Sequence, residues 1–469
     1  MPRKSSLLKK KCFINKETPE WAKDDIRNEV CRNLPIDFEY HNNFYCLMHY
    51  PDKIKTIKFV EELKRRISIE DYNLQGVYFP IGIYFNESEF KTSVNFRFAV
   101  FAQQAEFNKS HFEQEANFHF AVFEDYASFD FVTFEKRANF QGATFKKGTV
   151  FGEAVFKDIT SFSDAKFFSY ADFVDSTCIK GIYFDGSKFE EKSEIDFANT
   201  KFQSYVSFDK SVIKGSVHFG ISHYSELGDK NDATIFDKDS KLDFQYAKIE
   251  NPKQISFDTM RLEPNWFVNV DASKFTFFNC IWKQASGKKI NVKDELNQLK
   301  GISNSNALLT RACQYLADNY EENKGFEEAS MFRQIAMESK RLERVWWQQP
   351  FTLHWWYWLS SLYGESWIRA IAILAVILLI FSIIFILTIF QVCPMDKPLA
   401  LSISEKLCEI RTLNFGEAFL HSFATATFQN VEYQKPLTLT VETLRIVEKI
   451  LVPLQAALLA LAIRRKFMR

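Results

Sequence analysis

The sequence predicts a β-solenoid followed by an α-helical membrane domain, and three observations in the 469-residue chain carry that reading. Phenylalanine returns at alternating steps of five and six through Phe85, Phe90, Phe96, Phe101, Phe107, Phe112, Phe118, Phe123, Phe129 and onward to Phe173, a period of eleven. The residue two before each Phe is almost always small or β-branched, as at Ala99, Ala105, Ser110, Ala116, Val132 and Thr149. Far downstream, residues 371–390 form an apolar run relieved only by Ser382 and Thr388.

A repeat this short describes a solenoid. On a helix, steps of five and six would scatter the Phe residues over two stripes roughly 140° apart, which cannot make one buried face. In an extended chain, residues i and i−2 share a face, so a Phe and a small residue both point into one narrow interior. The residues between these pairs are polar, for example Glu124-Asp125, Glu135-Lys136 and Lys157-Asp158, as an outer surface requires. The stretch ANFHFAVFEDYASFDFVTFEKRANFQGATF, from Ala116 to Phe145, resembles the pentapeptide-repeat family. That resemblance implies a right-handed quadrilateral β-helix with stacked Phe inside. The extra residue in every second segment departs from the family pattern and leaves the shape of alternate corners open.

The phase runs on through Cys178, Phe184 and Phe189, resumes at Phe197, Phe202, Phe208, Ile213 and Phe219, and is interrupted by a polar insert at 220–232. Weaker echoes follow at Phe236, Phe244, Ile249, Phe257, Val270 and Phe275. At about 4.8 Å per turn of roughly 22 residues, this β-helix stands on the order of 45 Å tall. Ahead of it, residues 53–66 carry apolar residues at helical spacing and would cap its open end. Behind it, residues 288–344 read as two or three helices, with Leu308, Ala312, Tyr315, Leu316 and Asn319 on one stripe.

The apolar run at 371–390 has the length a helix needs to cross about 30 Å of hydrocarbon. A second span is expected at about 444–463, bending at Pro453. Arg464, Arg465, Lys466 and Arg469 follow it, while Lys340, Arg341, Arg344 and Arg369 precede the first, so both termini are expected on the cytoplasmic side of a plasma (inner) membrane. Trp346, Trp347, Trp355, Trp356, Trp358 and Trp367 form an expected interfacial belt before the first span. The expected domains are a cap (1–71), the β-helix (72–282), a helical connector with the aromatic belt (283–367) and a two-span module (368–469).

Between the spans, Phe415, Phe419 and Phe423 recur at i+4 and predict a short amphipathic helix ending near Thr427. This order, a helix followed by Thr-rich irregular backbone and then a span, resembles the two-span pore module of the potassium-channel superfamily, where a re-entrant pore helix points at a carbonyl filter. In TATFQNVEY, residues 425–433, the Thr residues match the family filter and its Gly-Tyr-Gly is missing, so potassium selectivity does not follow. Residues 320–343, 362–370 and 451–469 look like the channel-bearing bacterial pentapeptide-repeat proteins. That resemblance implies an ion-channel-like homo-oligomer, four-fold by analogy, with Thr425, Thr427, Gln429, Asn430, Glu432 and Gln455 along the pore. The alternative is an ordinary loop helix on two anchoring spans, making the protein a membrane-anchored scaffold whose β-helix binds a cytoplasmic protein partner.

Cys12, Cys31, Cys46 and His49 offer three soft ligands and an imidazole, a set that would make a tetrahedral zinc site. Cys46 and His49 have ligand spacing, and the longer gaps to Cys31 and Cys12 leave buried structural cysteines as the other reading. The resembled family carries a comparable element ahead of its repeats. Cys393 and Cys408 are a candidate disulfide in the far-side loop. Cys178 and Cys280 fall at or near inward repeat positions, and Cys313 is expected to pack on a helix.

Charge sets further bounds. With 59 basic and 59 acidic side chains there is no basic footprint for nucleic acid, and no strongly acidic rod that would mimic DNA at gyrase. The sequence shows no phosphate loop, no nucleophile-base spacing and no paired His ligands on a helix, so enzymatic activity is not expected.

Overall fold

The computed structural model describes residues 11–14, 18–31, 34–52, 55–221, 235–238, 240–283, 289–392, 409–429, 434–436 and 438–467. The chain divides into two compact units, Met1–Gly325 and Phe326–Arg469.

In the first unit, short strands pair in parallel with strands one turn further along, as Ala116 with Ala138, Phe123 with Phe145, Ala127 with Thr149 and Phe134 with Phe156. The result is a β-solenoid with four parallel sheets of 7, 8, 9 and 6 strands. Each repeat of eleven supplies two inward Phe residues, and the rings build ladders. Phe101, Phe123 and Phe145 stack at 4.8 and 5.0 Å with interplanar angles of 3° and 2°. Phe107, Phe129 and Phe151 stack at 4.9 Å in each step. Cys178 fills a rung of a third ladder, register-paired with Phe156 and Phe202, and is buried as expected.

Two kinds of corner account for the alternating steps. Each five-residue step turns through one left-handed residue, such as Phe98 (φ 58°), Lys109 (58°), Phe120 (55°), Phe131 (56°) and Glu153 (52°). The Ala99 amide donates to Phe96 O at 3.0 Å across such a corner, making it a type II turn. An Asn or Asp just before the Phe steadies it: Asn117 Oδ1 accepts from the His119 amide at 3.0 Å, and Asp172 Oδ1 from the Val174 amide at 2.8 Å. Among the described residues the six-residue steps have no positive φ, so the extra residue opens the bend that a type II turn would otherwise close.

Helix α1 (Glu20–Glu29), a hairpin of Phe38–Tyr40 and Asn43–Tyr45, and helix α2 (Thr56–Ser68) cover the N-terminal end. Phe59 of α2 meets the first rung, Phe79, edge-on at 5.7 Å. At the other end come helices α3 (Val292–Gln298) and α4 (Ser305–Glu322), and Asn319 Nδ2 donates to the carbonyls of Ala272 and Phe275. The buried stripe of α4 is Leu309, Ala312, Cys313, Leu316, Ala317 and Asn319. Leu308 and Tyr315 sit half-buried at its border, because the packed face is centred one residue later than the apolar pattern implied. Cys280 is only half-buried, its thiol reaching Phe257 O at 3.3 Å; the repeats have lost their strict phase by that point.

The second unit comprises α5 (Phe326–Leu342), α6 (Leu353–Ser361), α7 (Trp367–Ile386), α8 (Phe415–Ala426) and α9 (Leu439–Phe467). Strands Ile389–Val392, Glu409–Thr412 and Gln434–Pro436 form an antiparallel sheet with the first in the centre. The apolar run at 371–390 is therefore not helical throughout. Its last residues enter the sheet, and Phe390 joins Phe381, Phe385, Leu413, Ala418 and Val441 in a core beneath it. Helix α9 starts before the expected 444, and Pro453 lies within it. Two helices, Trp367–Ile386 and Leu439–Arg464, are long and apolar enough to span a membrane.

Candidate functional site

In the first unit, Cys12, Cys31, Cys46 and His49 converge although 37 residues separate the first from the last. All four are buried, and their donor atoms lie within 4.8 Å of one another. His49 Nδ1 stands 3.0 Å from Cys46 Sγ, 3.2 Å from Cys31 Sγ and 3.6 Å from Cys12 Sγ, and the Cys31 and Cys46 sulfurs are 3.5 Å apart. A tetrahedral metal with bonds of about 2.3 Å to sulfur and about 2.0 Å to nitrogen would hold its ligands roughly 3.5–3.8 Å apart. The Cys12–His49 and Cys31–Cys46 distances match that spacing, the His49 distances to Cys46 and Cys31 are a few tenths of an ångström shorter, and the Cys31 and Cys46 sulfurs at 3.5 Å are too far apart for a disulfide.

The surroundings orient the donors. The Cys46 amide donates to Cys12 Sγ at 3.1 Å, and His49 Nε2 faces Gln75 O at 3.5 Å, leaving Nδ1 turned to the sulfurs. Gly76 (φ +69°) lets the first coil approach, since a Cβ there would lie 3.2 Å from both His49 Nε2 and Ile26 Cγ2. Hydrogen bonds from Cys12 and Cys31, with the His49 ring nearby, hold the Cys46 thiol far below its ordinary range. Cys31 is driven up by its hydrogen bonds to Cys12 and Cys46 and by burial. Burial opposes charge on His49 most strongly, but the Cys46 charge and the hydrogen bonds to Cys12 and Cys46 together outweigh it and raise the group to about 9. Lys55, absent from the sequence reading, is 2% exposed and donates to Met48 O and Tyr78 O at 2.9 Å each. It ties the Cys46–His49 loop to the first coil, and burial pulls its amine down to about 7. No motif marks it in the sequence.

The second unit buries polar side chains beside its apolar core and leaves many apolar ones outside. Ser382, His421, Ser422, Thr425 and Glu448 are fully buried. Ser422 Oγ donates to Glu448 Oε1 between α8 and α9, and Ser382 Oγ to Leu378 O at 2.7 Å. Val376, Ile380 and Ile383 of α7, and Ile446, Ile450 and Leu454 of α9, are exposed. On α8 the predicted stripe of Phe415, Phe419 and Phe423 also faces outward, while Ala418, His421, Ser422 and Thr425 pack inward. The expected amphipathic helix is present, and its Phe stripe is the exposed face.

The structure separates the predicted pore residues. Thr425 is buried on α8, whereas Thr427, whose Oγ1 donates to Phe423 O at 3.0 Å, and Gln429 are exposed just past its end. Gln455 is buried and donates to Ser360 O at 3.2 Å and Ala370 O at 2.9 Å, fastening α9 to α6 and α7. Asn430, Glu432, Cys393 and Cys408 lie outside the described residues. A capping box between Asn414 and Glu417 starts α8, with Glu417 also paired to Arg411 at 2.6 Å, and Phe428 (φ 58°) ends it as the Gln429 amide returns to Ala424 O.

Residues 132–177, where ladders and corners are most regular, match the family model described as pentapeptide repeats (9 copies). This stretch of the solenoid is built of pentapeptide repeats. No curated protein and no solved structure matches the chain. The repeats account for the Phe ladders, and the cluster of three Cys and one His and the helical unit rest on their own geometry.

Proposed function

We propose that this is a membrane ion-channel-like protein whose pentapeptide solenoid, right-handed by resemblance, is a cytoplasmic sensing or docking arm. The inverted helical unit carries the reading. A bundle that buries Ser422, Thr425, Glu448 and Gln455 while exposing Ile380, Ile450 and Phe423 belongs in a medium where apolar side chains cost nothing outside. Helix α8 starts beside the sheet, where Leu413 and Ala418 join Phe385 and Phe390, and reaches back to Leu378, since Ser422 Oγ lies 3.4 Å from Leu378 O. In a bilayer it is a re-entrant helix between two spans, ending part-way across.

The exposed Thr427 and Gln429 then stand where several copies, four by analogy, would line a conduit. Thr425 and Gln455 brace it from inside each chain. In the first unit, Cys12, Cys31, Cys46 and His49 hold zinc, which supplies a structural crosslink between the cap's separate segments. Reconstituted into planar bilayers, the protein is expected to pass unitary currents that Thr427→Trp blocks. Silent bilayers containing correctly assembled protein would leave the membrane-anchored scaffold as the reading.

A further inference from the structure

The C-terminal end of the solenoid holds a second buried polar cluster, unrelated to the metal site. Helix α3 inserts Glu295 and Gln298 against the loop of Glu263 and Asn265. Glu295 and Asn265 are 0% exposed and Glu263 is 3% exposed. Glu295 Oε2 accepts twice from Asn265, from its amide at 3.0 Å and from Nδ2 at 2.7 Å. Glu263 accepts from Arg261 Nη1 at 2.6 Å and from Gln298 Nε2 at 2.9 Å, so it is neutralised within the cluster. Two atoms are left over. Glu295 Oε1 and Asn265 Oδ1 are buried acceptors without a hydrogen-bond partner among the described residues.

Leaving both unmatched would be costly, since a buried polar atom without a partner loses on the order of 1–3 kcal/mol. Among the described residues nothing near Glu295 balances a negative charge: Asp294 adjoins it on α3, Glu263 faces it, and on α4 the nearby titratable group is the Cys313 thiol. The cation of the cluster, Arg261, is already engaged by Glu263. One proton answers both orphans. Placed on Glu295 Oε1, it gives that oxygen a hydrogen to donate, and the adjoining carboxamide's Oδ1 is the idle acceptor.

We infer that Glu295 is a proton-binding site, and that its proton locks α3 onto the end of the solenoid. Binding is a simple protonation of a carboxylate, with no other bond made or broken. Burial, with Glu263 adding to it, raises Glu295 from about 4.5 to about 7. The group's docked value lies above its released value, so the contribution is complete below about 4.5 and is lost as pH rises through about 7. Docking should therefore weaken by up to tenfold per pH unit across that window.

Hydrogen exchange of the α3 amides in the full-length protein tests this, with Glu295→Gln measured at each pH to cancel the intrinsic pH dependence. Gln presents a neutral acceptor and donor in the same place. The expected result is that wild type and Glu295→Gln protect α3 equally at pH 5 and that wild type exchanges at least tenfold faster at pH 8, while the Phe129 and Phe140 amides of the solenoid match in both. A constant wild-type to variant ratio from pH 5 to 8 would overturn the inference, as would wild-type α3 protection at pH 8 that disappears on chelation, which would make the occupant a metal cation. If Glu295→Gln disturbs the solenoid amides, Glu263→Gln, which removes the negative charge facing Glu295, must lower the midpoint of the wild-type pH profile; an unmoved midpoint would overturn the inference too.

Discussion

Two phenylalanines two positions apart should respond oppositely to truncation. Phe129 is fully buried, stacked between Phe107 and Phe151 at 4.9 Å and flanked edge-on by Phe118 at 5.5 Å and Phe140 at 5.4 Å. Phe129→Ala removes a ring on the order of 100 Å³, a cavity cost of about 2.4 kcal/mol at ~24 cal/mol per Å³. Lost burial adds about 1.5–2 kcal/mol. The total, about 4 kcal/mol, corresponds to roughly a 10³-fold rise in local opening. Phe131 is 49% exposed at a type II corner with φ 56°. Phe131→Gly relieves about 1 kcal/mol of left-handed strain and forfeits little packing, so it should be neutral or stabilising.

Native-state hydrogen exchange reads both. The Phe118 and Phe140 amides, which donate to Asn139 O and Ser161 O at 2.7 Å, should exchange about 10³-fold faster in Phe129→Ala, and the distant Phe208 amide should change far less, because a solenoid couples mainly nearest turns. Equal acceleration at Phe208, or a larger loss in Phe131→Gly than in Phe129→Ala, would refute the two-class reading of the repeat.

Gly142→Ala should destabilise the solenoid by about 1 kcal/mol or more, since the position has φ +67° and the new Cβ would fall 2.4 Å from the Phe120 ring; a thermal melt of the two proteins checks it. Wild type should carry zinc and Cys46→Ser should carry far less by metal analysis. Zinc affinity should fall at least a hundredfold per pH unit below about 9, because binding must expel both the His49 proton and the proton of the Cys31 thiol, and competition with a chelator across pH measures that slope. The charged His49 stabilises the metal-free cap fully below about 6.5, and that support is lost as pH rises through about 9. Chelation should therefore lower the melting temperature of the cap more at pH 9.5 than at pH 6.5.

What the sequence revealed depended on whether neighbours in space repeat along the chain. The ladder was legible because each Phe rests on the residue one turn away, so packing is written as a period. The corners were not, since Phe98, Lys109 and Glu153 share a left-handed backbone that no side-chain preference announces. Cys46 and His49 showed ligand spacing, whereas Cys12 and Cys31 reach them only through the packing of α1 and the hairpin. Hydropathy marked both long helices but could not separate the helical Ile386 from the strand residue Phe390, because each is buried by the same core. It marked the Phe stripe of α8 as one face of a helix without saying whether that face is buried. Glu263, Asn265 and Glu295 form no motif, and only their unmatched atoms disclose them.

In the proposed channel, α8 and the residues after it converge between copies of the chain inside a bilayer. An assembled structure in lipid nanodiscs measures this. The expected result is a symmetric oligomer in which Thr427 and Gln429 of every chain face a shared axis and the Val376, Ile380 and Ile383 side of α7 meets lipid. A monomer, or an oligomer with Thr427 and Gln429 turned away from its axis, would contradict it.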